Sequence, residues 1–219
     1  MGANETNAIG ASVIGRSILR KEDLRFLTGA GQFTDDVAPQ NLTYACFLRS
    51  PHAHARIRSI DSTAAKAAPG VVAIFTADDL AGVNGLPCGW LITGADGKPM
   101  NEPPHPVLAK GKVRHVGDPV VLVIAETRHQ AKDAAELIEV DYEVLPAAVN
   151  CVEALKVGAA QVHDEAPGNR CYVWTLGDKA AVDAAFATAA HITKLDLVNN
   201  RLVANAIEPR AAVASYNRA

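Results

Sequence analysis

Between Val113 and Val144 the chain spells out strand, capped helix and strand, and this constrains the fold more than any other stretch. Val120 to Ala125 is a continuous apolar run of strand length, preceded by the turn residues Gly117, Asp118 and Pro119. Thr127 and Gln130 stand where a capping box places them, each side chain facing a backbone N–H at the helix start. Behind them Ala131, Ala134, Ala135 and Ile138 recur at i, i+3, i+4 and i+7, one face of a helix. Val140 to Val144 then alternates as a strand and stops before Pro146. A unit of this kind hides its apolar faces only inside a layered arrangement of sheet and helix.

Those faces are small. Alanine supplies 40 of the 219 residues, against five Phe, four Tyr, two Trp and two Met. Each alanine buries little area, so such a chain gains stability by packing faces closely against something else. The length allows one large domain, or one domain and part of another. A formal net charge of −3 argues against a nucleic-acid binder. No apolar run approaches the ~20 residues of a membrane span. The four cysteines, Cys46, Cys88, Cys151 and Cys171, form no Cys-x-x-Cys pair, and they read as free thiols of a reducing compartment, the cytoplasm. The start, MGANETNAIGASVIG, has neither the basic region nor the apolar core of a secretory signal. Met1-Gly2 with Thr6 is a short, loose match to a myristoylation pattern.

Other elements follow from local pattern. Lys21 to Phe26 predicts a helical turn ended by Thr28 to Gly31. Leu42 to Leu48, Ala55 to Ile60 and Val71 to Phe75 predict strands, with a short alanine helix capped by Asp61 before the third. Thr76 and Asp79 mark a helix start. Gly82 to Pro106, rich in Gly, Pro and Asn, predicts a long loop, and loops of that length usually make contacts or carry function. Asn150 and Glu153 suggest a short capped helix, and Gly158 to Arg170 a linker turning at Pro167-Gly168-Asn169. Asp178 caps a helix with Val182, Ala185, Phe186 and Ala189 on one face. His191 to Val198 alternates as a strand, and Ala211 to Tyr216 begins another.

Candidate chemistry is sparse. Arg49 to Arg58 is the most basic stretch, and on a strand His52, His54, Arg56 and Arg58 would share one face. His-x-His can present two zinc ligands, but that chemistry needs further ligands and usually a barrel of ~250 residues. The plainer reading is a polar face that hydrogen-bonds a neighbouring element. His115, after Arg114, is a titratable group beside the Gly117-Asp118-Pro119 turn, and a turn explains those residues without catalysis. Gly29-x-Gly31 lacks the third glycine and the strand-turn-helix setting of a dinucleotide site. Glu208-Pro209-Arg210 is either a structural ion pair or the edge of a binding site, and the sequence alone prefers the former. The expectation is that no residue of this chain is catalytic, cofactor-binding or metal-binding on its own.

Taken together, seven ordered segments carry a resemblance. They are IGRSILRKEDLRFLTGAGQFTDD, LRSPHAHARIRSID, APGVVAIFTADDL, VRHVGDPVVLVIAET, AAELIEVDYEVLPA, GDKAAVDAAFATAAH and NNRLVANAIEPRAAVA. In this order the chain resembles the N-terminal part of the large, molybdenum-binding subunit of the xanthine dehydrogenase, aldehyde oxidase and aerobic carbon monoxide dehydrogenase family, closest in look to the carbon monoxide dehydrogenase-like branch. The resemblance implies an α+β fold: an α/β hammerhead domain, a mixed sheet with packed helices, then the start of a molybdopterin-binding domain. It implies an N-terminal extension at 1–25, the hammerhead at 26–147, a linker at 148–170 and an incomplete cofactor domain at 171–219. It implies molybdopterin cytosine dinucleotide with molybdenum in the full-length subunit, and [2Fe–2S] clusters and FAD on small and medium partner subunits, in a dimer of heterotrimers. The family's site elements (an oxo-side glutamine, a Gly-Gly-Gly-Phe-Gly loop, a specificity loop and a base glutamate) have no counterpart here. Ala206-Ile207-Glu208-Pro209-Arg210 matches a Met-Glu-Pro-Arg segment with Ile in place of Met. The segment would then serve as scaffold and subunit interface, through the basic face and the Gly82–Pro106 loop. The competing expectation is a stand-alone binding or assembly module without redox activity.

Overall fold

The computed structural model describes residues 14–15, 17–200, 202–203, 205–207 and 209–217. The chain divides into two compact units, Asn41–Val198 and a second made of Met1–Gln40 with Asn199–Ala219.

In the second unit, α1 (Asp23–Leu27) is one short turn closed by Thr28, whose hydroxyl donates to Leu24 O at 2.7 Å. The ring of Phe26 stacks on that of Phe33, centroids 5.8 Å apart. A Cβ on Gly31 would lie 2.6 Å from the Phe26 ring, and Gly29 turns at φ +72°. The Gly29-x-Gly31 pair is therefore explained by a turn and a close approach to an aromatic ring.

The larger unit contains all six strands of the described residues. They are β1 (Tyr44–Arg49), β2 (Ala55–Asp61), β3 (Val71–Phe75), β4 (Lys112–Val113), β5 (Pro119–Ala125) and β6 (Glu139–Val144). They form two three-stranded sheets, ordered β1-β5-β3 and β4-β2-β6. Every pairing is antiparallel, with Tyr44 facing Ala125 in one sheet and Ala55 facing Val144 in the other. The helices are α2 (Thr63–Lys66), α3 (Arg128–Glu136), α4 (Cys151–Ala154) and α5 (Lys179–Thr188). Sheets with helices packed on them are the α+β architecture expected from sequence, and the pairing among the described strands is antiparallel throughout rather than mixed.

Helix α3 lies across β1, β3 and β5 and touches α2. Its start forms the Thr127 half of the expected capping box: Thr127 Oγ1 accepts from Gln130 N at 3.2 Å, while Gln130 Oε1 accepts from the Thr127 hydroxyl rather than from its backbone N–H. Ala134 and Ala135 share one buried cluster with Val121 and Val123 of β5, and Ala131 and Ala125 are buried as well. Ala55 of β2 and Val113 of β4 join the same cluster, so one core serves both sheets. Small side chains let helix and sheet approach closely here, which is how an alanine-rich composition packs to ordinary density.

The face of β1-β5-β3 turned away from α3 is also apolar. Phe47, Leu122 and Phe75 align across the three strands, and the two phenylalanines are exposed.

Two predicted strands are absent. Neither His191 to Val198 nor Ala211 to Tyr216 forms a strand among the described residues, and Leu195, Leu197 and Val198 are exposed. Alternation prepares a segment to pair, but a strand exists only when a neighbour accepts its hydrogen bonds, and none is present. Helix α5 forms under its Asp178 cap, yet none of its residues is buried. Its apolar stripe of Val182, Ala185 and Phe186 lies open. The expected Gly82–Pro106 loop is ordered in part. Gly94 N donates to Lys98 O and Met100 N to Ile92 O, and residues 171–173 bond alongside through Ala95 N to Val173 O.

Candidate functional site

Three polar residues are buried in the larger unit: Ser50, His54 and Asp118. All three sit where the chain crosses between sheets, from β1 to β2 and from β4 to β5. Ser50 N donates to Asp118 O at 2.9 Å, and Gly117 N returns a bond to Ser50 O at 2.8 Å. Arg49 Nη1 donates to Gly117 O at 2.9 Å. The Asp118 carboxylate accepts from Arg114 N at 2.9 Å and lies 3.7 Å from His115 Nδ1. Ser50 Oγ accepts from His52 N. Burial pushes the Tyr142 phenol up; a Ser50 hydrogen bond opposes that, and the Asp118 charge adds to it. The two crossovers thus form one clasp, and the turn reading of Gly117-Asp118-Pro119 holds.

The basic stretch does not present the single face its spacing suggested. Strand β2 begins only at Ala55, so His52 and His54 lie in the loop before it. His54 turns inward, with Nδ1 2.7 Å from Pro146 O. Nδ1 therefore carries the proton, and Nε2 has no partner. His52 packs edge-on against Tyr142 at 5.1 Å. Arg56 and Arg58 both reach Glu143 Oε2, at 3.1 and 3.5 Å, on an exposed surface. They share a face because side chains two residues apart on a strand point the same way. The polar-face reading is correct for the two arginines, and the paired-ligand geometry of His52 and His54 is not formed.

The Gly158–Arg170 segment is tied down more firmly than a linker pattern suggests. Gln161 Nε2 donates to His163 O and Ala166 O, and Gln161 Oε1 accepts from Gly168 N. Asn169 Nδ2 donates to Ala154 O and Ala160 O, and its Oδ1 accepts from Val162 N. Lys112 of β4 pairs with Asp164 at 3.2 Å.

Among the described residues no group of three His, Cys, Asp or Glu side chains is placed to hold a metal ion. The four cysteines are free thiols, Cys88 and Cys151 exposed. Glu208 lies outside the described residues, as do Met1, Gly2 and Thr6, so the ion pair with Arg210 and the acylation pattern are not described. No helix among the described residues is long and apolar enough to cross a membrane. Sequence reasoning missed the roles of Ser50, Tyr142 and Gln161. A faint signal existed in two turns of like form, Ser50-Pro51 and Asp118-Pro119, but nothing in one sequence shows that they are bonded to each other.

Residues 28–146 match the family described as aldehyde oxidase and xanthine dehydrogenase, a/b hammerhead domain. A carbon monoxide dehydrogenase large chain from Afipia carboxidovorans is 37% identical over 211 residues, which cover 91% of this chain and 25% of that protein. A nicotine 6-hydroxylase large subunit from Paenarthrobacter nicotinovorans is 35% identical over 209 residues, covering 95% and 25%. The crystal structure of a Cu,Mo-CO dehydrogenase in its carbon monoxide reduced state superposes with a TM-score of 0.66 at 37% identity, over 81% of this chain and 23% of that one. The chain therefore spans about a quarter of the length of the relatives it matches.

Proposed function

This chain belongs to the aldehyde oxidase and xanthine dehydrogenase family, whose a/b hammerhead domain it carries, and from that premise we propose that it is scaffold and subunit interface within a molybdenum hydroxylase large subunit. The enzyme would oxidise carbon monoxide, an aldehyde or an N-heterocycle, with water as oxygen source. Residues 1–25 would be an extension, 26–147 the hammerhead, 148–170 a linker and 171–219 the opening of the cofactor domain. The full-length subunit would carry molybdopterin cytosine dinucleotide. A small subunit with [2Fe–2S] clusters and a medium subunit with FAD would complete a heterotrimer, dimerised, in the cytoplasm.

The observation that carries this reading is the hammerhead match over residues 28–146, continued by relatives that align over nine-tenths of the chain. The site itself points the same way. Its buried Ser50 and Asp118 are engaged in joining two sheets. No step of the reaction is therefore assigned to these residues. Exposed apolar faces on α5 and on β1-β5-β3 suit a part that packs against others.

Purifying the 219-residue chain and measuring molybdenum and iron tests the reading. The expected result is neither metal in stoichiometric amount, with capture of the chain by the iron–sulfur or FAD subunit of a three-subunit relative. Stoichiometric molybdenum in the isolated chain would overturn the scaffold assignment. Failure to bind either subunit would overturn the interface assignment.

A further inference from the structure

The segment carrying His163 is fastened to β4 by groups the clasp does not use. Lys112 pairs with Asp164, the Lys112 side chain 18% exposed and that of Asp164 73%. Ala166 is buried beside it in sequence. Gln161 bridges the loop to itself through three bonds, one of them to the carbonyl of His163. In this setting two buried nitrogen atoms have no hydrogen-bond partner, Arg114 Nε and His163 Nδ1. A neutral imidazole tolerates burial in such a place, whereas a charged one does not.

We propose that residues 159–170 form a pH-sensitive latch on β4, closed while His163 is neutral and released as that imidazole takes a proton. The charged groups acting on His163 are Arg114, Lys112, Glu165 and Asp118. Asp164 stands beyond them, held by Lys112. Protonation would place a third cation near Arg114 and Lys112, on a half-buried ring whose Nδ1 is shut off from solvent. The three carboxylates lie around the same cluster, so it is not an anion site, and the imidazole is the group that changes charge near neutral pH.

Burial lowers the affinity of His163 for a proton, and Arg114 adds to that effect. In the open segment the same group titrates near its ordinary value of about 6.5. The open form therefore binds more protons below that value, so the latch is at full strength above about pH 6.5 and weakens as pH falls. On the function proposed above, the segment joins the hammerhead to the cofactor domain. That consequence rests on the proposed function; the latch itself does not.

Hydrogen exchange on the 219-residue chain, corrected for intrinsic rates, tests the latch between about pH 7.5 and 5.5. The amides of Val162, Ala166 and Gly168 should lose protection by up to about tenfold per pH unit below about 6.5, while those of Val121 and Val123 hold. His163→Gln should abolish that dependence. Asp164→Asn should lower protection at every pH and keep the dependence. A flat wild-type profile, or an unchanged slope in His163→Gln, overturns the proposal. So does a slope lost in Asp164→Asn, which would move the sensor to the ion pair. NMR titration of the wild-type imidazole gives a measurement free of any folding defect: a midpoint below 6.5 supports the latch, and one at or above it overturns it.

Discussion

Ser50 is bonded through both of its backbone groups to the turn that carries Asp118, donating to Asp118 O at 2.9 Å and accepting from Gly117 N at 2.8 Å. The Asp118 carboxylate then anchors that turn to β4 by accepting from Arg114 N. Asp118→Ala should leave the Arg114 N–H without its partner at a buried site, at a cost of about 1–3 kcal/mol. Asp118→Asn, which keeps an acceptor oxygen, should lose less than half of that. Urea unfolding of the two variants checks the ordering.

Gly70 stands opposite the α3 cap. It turns at φ +76°, and a Cβ there would sit 2.2 Å from Gln130 Nε2. Gly70→Ala must therefore strain its own backbone and displace the Gln130 amide from Thr127. The expected loss is larger than that of Thr127→Ala, which should cost about 1 kcal/mol as an ordinary cap deletion. Thr127→Ser should restore the stability that Thr127→Ala loses. Thermal melts of the three variants decide the matter.

Core and exposed apolar positions should respond in opposite settings. Val123 is fully buried between α3 and the sheet, so Val123→Ala should cost about 2–3 kcal/mol in the 219-residue chain. Phe186 is exposed on α5, and Phe186→Ser should change the stability of that chain by less than about 0.5 kcal/mol. Within a complete large subunit the same change should lower the yield of assembled enzyme, if α5 packs there. Equal yields with and without Phe186 would remove α5 from the interface.

Acid sensitivity should be traceable to two turn carboxylates. Asp79 is held below its ordinary value of 3.8 by the Thr76 backbone N–H, with the Thr76 hydroxyl adding to it. Asp61 is lowered by its hydrogen bonds to Thr63. A carboxylate lowered on folding stabilises above its unfolded value, and that contribution is lost as pH falls through the lower folded value. Asp79→Asn should thus flatten the acid limb of a melting-temperature profile beneath about pH 4 and leave the profile near neutrality parallel to wild type. A variant whose acid limb kept the wild-type slope would show that the turn contributes nothing there.

Local signals carried most of the hammerhead. The cap at Thr127, the alanine face of α3 and the apolar run of β5 specify their own conformations, because the groups that satisfy them lie within a few residues. The clasp was not legible, because its partners Ser50 and Asp118 meet only after two sheets have formed. The basic stretch was misread for a related reason. Alternation assumes that a strand runs through His52 and His54, but Pro51 and the inward turn of His54 delay it to Ala55. The two unformed strands near the C-terminal side show the converse. Val198 and Val213 sit in segments with strand patterning, yet pattern alone supplies no hydrogen-bonding neighbour.

The pairing of Tyr44 with Ala125 and of Ala55 with Val144 sets an order of events during synthesis. The β4-β2-β6 sheet gains its last strand only at residue 144, and no strand of β1-β5-β3 is paired until β5 has emerged past residue 125. Until then β1, with Phe47 and Leu48, is an unpaired apolar strand. Contacts this far apart in sequence close slowly, since the loop entropy must be met before any bond forms. A ribosome pausing before β5 would therefore hold this domain in its most aggregation-prone state, and one pausing after β6 would leave both sheets able to close.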